Sequence, residues 1–161
     1  VSYIAEYNDA SNGATVYGKK QTNSQLSTIA LNHVFYIFAG HGTGYYYINI
    51  PSADDVALFW IGPNALSGYS RANAQLIQSW SVPTVATLGF YLTANTYTPV
   101  RLWFANGGGI GGLQFTMLGP DGAQILQSSP NSNAGSMNPD IVMFPCDSSK
   151  GKAFPAFGKE T

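Results

Sequence analysis

Short apolar runs broken by glycine, proline, asparagine and aspartate recur along the whole chain. Segments 34–39, 45–50, 56–61, 85–92, 100–105, 113–118 and 123–127 each combine β-branched and aromatic residues at strand length. Their number and spacing predict an all-β, antiparallel sandwich. Segment 56–61, Val-Ala-Leu-Phe-Trp-Ile, is apolar on both parities, which predicts a central strand covered on both faces or capped by a loop. Gly119-Pro120-Asp121-Gly122 places proline where a turn needs a fixed φ and glycine where it needs a positive one, so strands 113–118 and 123–127 are expected to form a hairpin. Only 71–78 has the composition of a short helix. Residues 128–136 read as a long exposed loop, and residues 146–161 as a tail that wraps the body.

Composition narrows the picture. At 161 residues one domain is expected. Charged residues make up only 9% against about 25% in an ordinary globular protein, so solubility rests on neutral polar groups. With a net charge of −1 and scattered basic residues, nothing marks a nucleic-acid or anionic-lipid partner. No apolar run approaches the ~20 residues of a membrane-spanning helix. The single cysteine, Cys146, excludes an internal disulfide framework and a thiolate zinc cluster, and is expected to be a small buried or half-buried filler. The only glutamates, Glu6 and Glu160, lie near the termini, and no Gly-x-Ser-x-Gly elbow is present, so hydrolytic carboxylate pairs and nucleophile motifs find little support. The chain is not expected to be an enzyme.

Two features carry candidate chemistry. Asp54 and Asp55 stand side by side between two strand segments; adjacent carboxylates repel, and holding both ionised favours a cation, with oxygen-only donors selecting Ca²⁺. Alone, the pair better fits an ordinary surface turn, since adjacent acids at strand starts are common surface features. The second feature is Asn106-Gly107-Gly108-Gly109-Ile110-Gly111-Gly112, a strand end followed by a loop with almost no side chains, able to turn carbonyls toward an ion. A strand follows it, with neither lysine nor helix, so it is not a phosphate cradle.

The blocks Gly42-Thr43-Gly44-Tyr45-Tyr46-Tyr47-Ile48-Asn49-Ile50, Ala53-Asp54-Asp55-Val56-Ala57-Leu58-Phe59-Trp60-Ile61-Gly62, Asn64-Ala65, Asn73-Ala74-Gln75-Leu76 and Tyr97 to Asn106, in this order and continuing to Gly122, resemble the fungal GLEYA adhesin domain. The resemblance implies a jelly-roll-like sandwich of the protective-antigen type found in yeast flocculins. It implies a Ca²⁺ site in which the family's consecutive aspartates, joined by a cis peptide, map onto Asp54 and Asp55. The family's loop asparagine maps onto Asn106, and its two carbonyl donors onto Gly108 and Ile110. Such a set leaves Ca²⁺ short of its usual 6–8 oxygens, and vicinal hydroxyls of a terminal galactose, mannose, glucose or N-acetylglucosamine would complete it. The implied protein is a Ca²⁺-dependent lectin domain, monomeric within a larger multivalent adhesin, secreted and displayed on a cell wall or cell surface. His41 and Tyr69 are the candidate rim contacts to sugar. Trp60 and Trp103 are expected in the core or on a sheet face, while Trp80 has no assigned place. A structural or homotypic wall module is the alternative.

Overall fold

The computed structural model describes residues 3–5, 15–16, 19–20, 27–109, 111–129 and 139–160. Twelve strands are present among them: β1 (Tyr3–Ala5), β2 (Thr15–Val16), β3 (Lys19–Lys20), β4 (Ile29–Phe38), β5 (Gly44–Asp54), β6 (Val56–Ile61), β7 (Leu76–Ser79), β8 (Ala86–Leu92), β9 (Tyr97–Asn106), β10 (Gly112–Leu118), β11 (Gln124–Ser129) and β12 (Ile141–Val142). They build two five-stranded sheets, ordered β1-β11-β10-β5-β8 and β12-β4-β9-β6-β7, beside the small β2-β3 ribbon. All pairings are antiparallel except β1 with β11. The expected sandwich is therefore the observed one.

The core lies between the sheets. Tyr46, Ile48 and Ile50 on β5 and Leu113, Phe115 and Met117 on β10 alternate inward from the first sheet. From the second sheet come Ala57, Phe59 and Ile61 of β6 and Val100, Leu102 and Phe104 of β9. Phe90 of β8 joins the two, its ring centroid 6.1 Å from Phe59 and 6.3 Å from Tyr46. Burying such rings contributes about 1.5–3 kcal/mol each.

The outer face of the second sheet is covered too, which explains the apolar double parity of β6. Leu58 and Trp60 pack with Ala65 of a one-turn helix, α1 (Pro63–Leu66), and with Tyr69 and Ala74 beyond it. Trp60 donates its indole N–H to Ser70 O and Asn73 Oδ1. Trp60 and Trp103 thus belong to this packed face, as expected. C-terminal residues cover a further part of it. Phe154 stacks edge-on against Tyr36, whose hydroxyl donates to Lys152 O, and Glu160 reaches the fully buried Arg101.

Several expectations are corrected. The helix read at 71–78 is a 3-10 turn, Arg71–Asn73, followed by strand β7. Leu76 and Gln78 point inward and Ile77 outward, so pairing with β6 overrides helical composition. β4 starts at Ile29, five residues earlier than predicted, because polar Asn32 and His33 continue the ladder opposite Trp103 and Leu102. β5 runs on through Pro51 to Asp54: β8 has ended by Ile50, and the β5–β10 register shifts between Asn49 and Ser52, a bulge that accommodates a residue without an N–H. Cys146 is exposed rather than a filler. The hairpin at Gly119–Gly122 forms as expected, with Gly122 at φ 80° and its N–H donating 3.0 Å to Gly119 O. Of the loop read at 128–136, residues 130–136 lie outside the described residues, and Ser128 and Ser129 belong to β11.

Candidate functional site

Three described connections cross between the sheets at one end of the sandwich, β5–β6, β7–β8 and β9–β10, and the first and last of them hold the candidate residues. Asp54 still pairs with Gly112 in the first sheet, while Val56 already pairs with Ala105 in the second, so Asp55 alone makes the first crossing. The return crossing is the glycine loop between Asn106 at the end of β9 and Gly112 at the start of β10. Sheet register therefore brings residues some fifty positions apart side by side. The Asp54–Asp55 peptide is cis, as the resemblance implied.

Backbone and side chain fasten the corner. The Asp55 N–H donates to Ala105 O at 3.2 Å, and Asp55 O accepts the Trp80 N–H at 3.0 Å. The Asp55 Oδ2 accepts the Gly107 N–H at 2.6 Å. Asn106 continues the inward parity of Leu102 and Phe104 and is buried at the mouth between the sheets. Its Nδ2 donates to Gly109 O and its Oδ1 accepts the Gly108 N–H, both at 3.4 Å. Gly109 adopts φ 76°, open to glycine at no steric cost. At Gly111 a β-carbon would lie 2.4 Å from Asn106 Nδ2, so the asparagine needs a bare backbone there.

The electrostatics favour a cation. Asp54 is pushed above the usual carboxylate range, first by desolvation, then by the charge of Asp55 and a hydrogen bond to it. Among the described residues no ion pair relieves either carboxylate. Among the described residues no group of three or more His, Cys, Asp or Glu is placed to hold a metal ion, so neutral oxygens would have to complete any cation shell here. The donor set is thus two carboxylates, an amide oxygen and loop carbonyls, all hard oxygens suited to Ca²⁺. Asp54, Asp55, Asn106 and Gly108 are brought together; Ile110 lies outside the described residues.

The two proposed rim residues are elsewhere. His41 lies in the β4–β5 turn, separated from Asp54 by the length of β5, roughly 30 Å at about 3.3 Å per residue. There it is clamped between Asp121 and Asp140, Nδ1 to Asp121 Oδ2 and Nε2 to Asp140 Oδ2, each 2.8 Å. Tyr69 lies on the outer face of the second sheet, its ring centroid 4.0 Å from the Arg101 guanidinium and edge-on to Trp60 at 5.5 Å. Each is placed by packing around a buried charged partner, which the sequence could not reveal. Trp80 replaces them at the rim: its N–H holds Asp55 O and its side chain is 70% exposed. The signal for it was an uncompensated tryptophan in a polar segment, but its partner lies 25 residues away.

Comparison with known proteins gives a consistent answer. The family model described as the GLEYA domain matches residues 29–119. A putative cell agglutination protein of Schizosaccharomyces pombe is 40% identical over 75 residues, covering 44% of this chain and 6% of the relative. The S. pombe putative cell agglutination protein pfl8 is 31% identical over 101 residues, covering 61% of this chain and 26% of that protein. The chain thus spans 6% and 26% of the length of these relatives. Among solved structures, the Candida glabrata epithelial adhesin 9 A domain in complex with Galβ1-3GlcNAc superposes with a TM-score of 0.54 at 21% identity, covering 73% of this chain and 58% of that one. A subtype-switched form of that domain with β-lactose gives 0.52 at 22% identity, covering 66% and 49%. These similarities establish the sandwich as a shared fold.

Proposed function

Because this chain belongs to the GLEYA domain family, we propose that it is the carbohydrate-binding domain of a cell-surface or cell-wall adhesin, non-catalytic and Ca²⁺-dependent. The observation that carries the reading is the convergence of Asp54, Asp55 and Asn106 where the β5–β6 and β9–β10 crossings meet. Asp54 and Asp55 would hold Ca²⁺ by carboxylate, Asn106 by its amide oxygen, and Gly108 and Ile110 by carbonyls. The bound ion would offer its remaining coordination positions to neutral sugar hydroxyls. Around it, the chain itself does the positioning: Gly107 orients the Asp55 carboxylate, Gly111 leaves room for Asn106, and Trp80 presents an indole to the apolar face of a sugar ring. His41 and Tyr69 take no part.

The ligand is a terminal pyranose with vicinal hydroxyls. β-Galactosides head the panel, since both solved neighbours named above carry galactose-containing glycans; mannose, glucose and N-acetylglucosamine complete it. A shallow site gives weak single-site affinity, and adhesion follows from many copies on one surface. Calorimetry and a glycan array, in saturating Ca²⁺ and after chelation, test the reading. Binding that disappears with chelator and in Asp55→Ala, and weakens at least tenfold in Trp80→Ala at unchanged thermal stability, is expected. An array silent in saturating Ca²⁺, or binding indifferent to chelation, overturns it.

A further inference from the structure

Seven of the ten exposed large apolar residues among those described, Ile77, Trp80, Val82, Val85, Tyr91, Tyr45 and Tyr47, belong to β7, β8, their connection, or the neighbouring strand β5; Met143, Phe144 and Phe157 lie in the C-terminal segment. Trp80 belongs to the candidate sugar site. The rest of the seven flank β8, the outermost described strand of the first sheet.

Three properties of β8 say what would cover it. It is regular: its seven residues pair with β5 from Ala86↔Ile50 to Leu92↔Gly44 without a register shift, and none of the other described strands pairs with its outer edge. It lacks the devices that normally blunt an edge, namely a charged side chain, a proline or a bulge. Its surroundings are neutral as well, since no Asp, Glu, Lys, Arg or His occurs from Ala72 to Val100 or from Gly42 to Ala53. A charged partner finds no complement here, whereas two copies of this surface meet without repulsion.

The face beside the edge is ordered. Tyr91 packs edge-on against its register partner Tyr45 at 5.4 Å, and Tyr47 lies over Gly89, where an added β-carbon would come within 3.0 Å of its ring. Gln78 pins the β7–β8 connection by donating to Thr84 O at 2.8 Å. The surface is therefore held ready for a partner.

We propose that β8 is a homotypic docking edge, at which two copies of this chain pair antiparallel about a two-fold axis into one continuous sheet, with Tyr91 and Tyr45 closing over the seam. A two-fold pairing is self-complementary and leaves no open edge. One strand pair with its flanking tyrosines falls short of a standard interface of about 1,600 Å², so the contact is weak in solution and effective where copies are crowded. It needs neither Ca²⁺ nor sugar, and so stands or falls separately from the lectin reading.

The test is sedimentation velocity on the 161-residue chain carrying Cys146→Ser, which removes the exposed thiol as a source of covalent dimers. Reversible dimer is expected as concentration rises to about 1 mM, unchanged by chelator. Thr87→Lys and Tyr91→Lys, both at exposed positions of β8, should each weaken it at least tenfold while leaving thermal unfolding and Ca²⁺-dependent glycan binding as in the parent. A chain that stays monomeric throughout, a dimer indifferent to both lysines, or a monomer in which Tyr91→Lys abolishes glycan binding overturns the proposal; the last would make the tyrosines a sugar platform.

Discussion

The Asp55 carboxylate and the Gly107 amide, 52 positions apart in sequence, meet at 2.6 Å and join the β5–β6 and β9–β10 crossings into one corner. That contact fixes the carboxylate in place, while its negative charge is what a cation would use. Replacing Asp55 separates these roles. Asp55→Asn keeps a carbonyl oxygen to accept the Gly107 N–H, whereas Asp55→Ala loses it, at a cost of about 1.5–3 kcal/mol for a hydrogen bond to a charged group. Both variants should lose glycan binding, but only Asp55→Ala should also melt several degrees lower in the apo state, at about 2–4 °C per kcal/mol for a chain of this size. Calorimetric titration and differential scanning calorimetry of the two proteins check this.

Gly111 is predicted to act through Asn106. A methyl group there would stand 2.4 Å from Asn106 Nδ2 and 2.9 Å from its Cγ, and the buried amide must move. Gly111→Ala should weaken glycan affinity at least tenfold and cost about 1–3 kcal/mol of stability through overpacking. In an Asn106→Ala background the same substitution should do little to either, since its target is gone. Independent, additive effects in the double-mutant cycle would remove the positioning role.

His41 makes stability pH-dependent. The hydrogen bond to Asp121, with the charges of Asp140 and Asp121, raises His41 above its usual value against an opposing desolvation. Its contribution is therefore fully present below about 6.5 and is lost as pH rises through the folded value. Asp121, lowered mainly by the His41 hydrogen bond, contributes above about 3.8 and loses that contribution as pH falls. The clamp is strongest between those limits. His33 works in the opposite direction: burial lowers it from 6.5 to about 4, so its contribution holds at neutral pH and fades as pH falls toward that value. The difference in urea midpoint between the parent and His41→Gln isolates the clamp. It should be largest near pH 5–6 and shrink in alkali, and salt should reduce it because Asp121 is half-exposed.

Arg101 makes the C-terminal residues part of the fold. Its guanidinium, fully buried, donates to Ala65 O at 2.9 Å and Asn32 Oδ1 at 2.8 Å, and lies 3.5 Å from Glu160 Oε1. Glu160→Gln leaves that cation without its carboxylate and should destabilise by about 3 kcal/mol, read as a drop in the denaturation midpoint. Arg101→Met with Glu160→Gln should be less damaging than Glu160→Gln alone, because no buried charge is then uncompensated.

What the sequence determined by itself was the class of fold and the oxygen-bearing residues of the candidate site. Alternating apolar residues bounded by turn formers state a sandwich locally, since side-chain parity and turn φ are properties of neighbouring residues. Two adjacent aspartates and an asparagine before five glycines likewise state their oxygen donors in the order of the chain. Tertiary structure alone decided who their neighbours are. His41 and Asp54 sit at opposite ends of β5, a separation set by an eleven-residue strand that continues through Pro51 only because β8 has stopped beside it. Tyr69 is held on the far face by a buried guanidinium, and Trp80 is brought to Asp55 by one backbone hydrogen bond across the turn. The strand β7, the covering of Arg101 and the outermost place of β8 among the described strands are likewise outcomes of register and packing, which depend on pairs of residues distant in sequence and leave no mark on either residue alone.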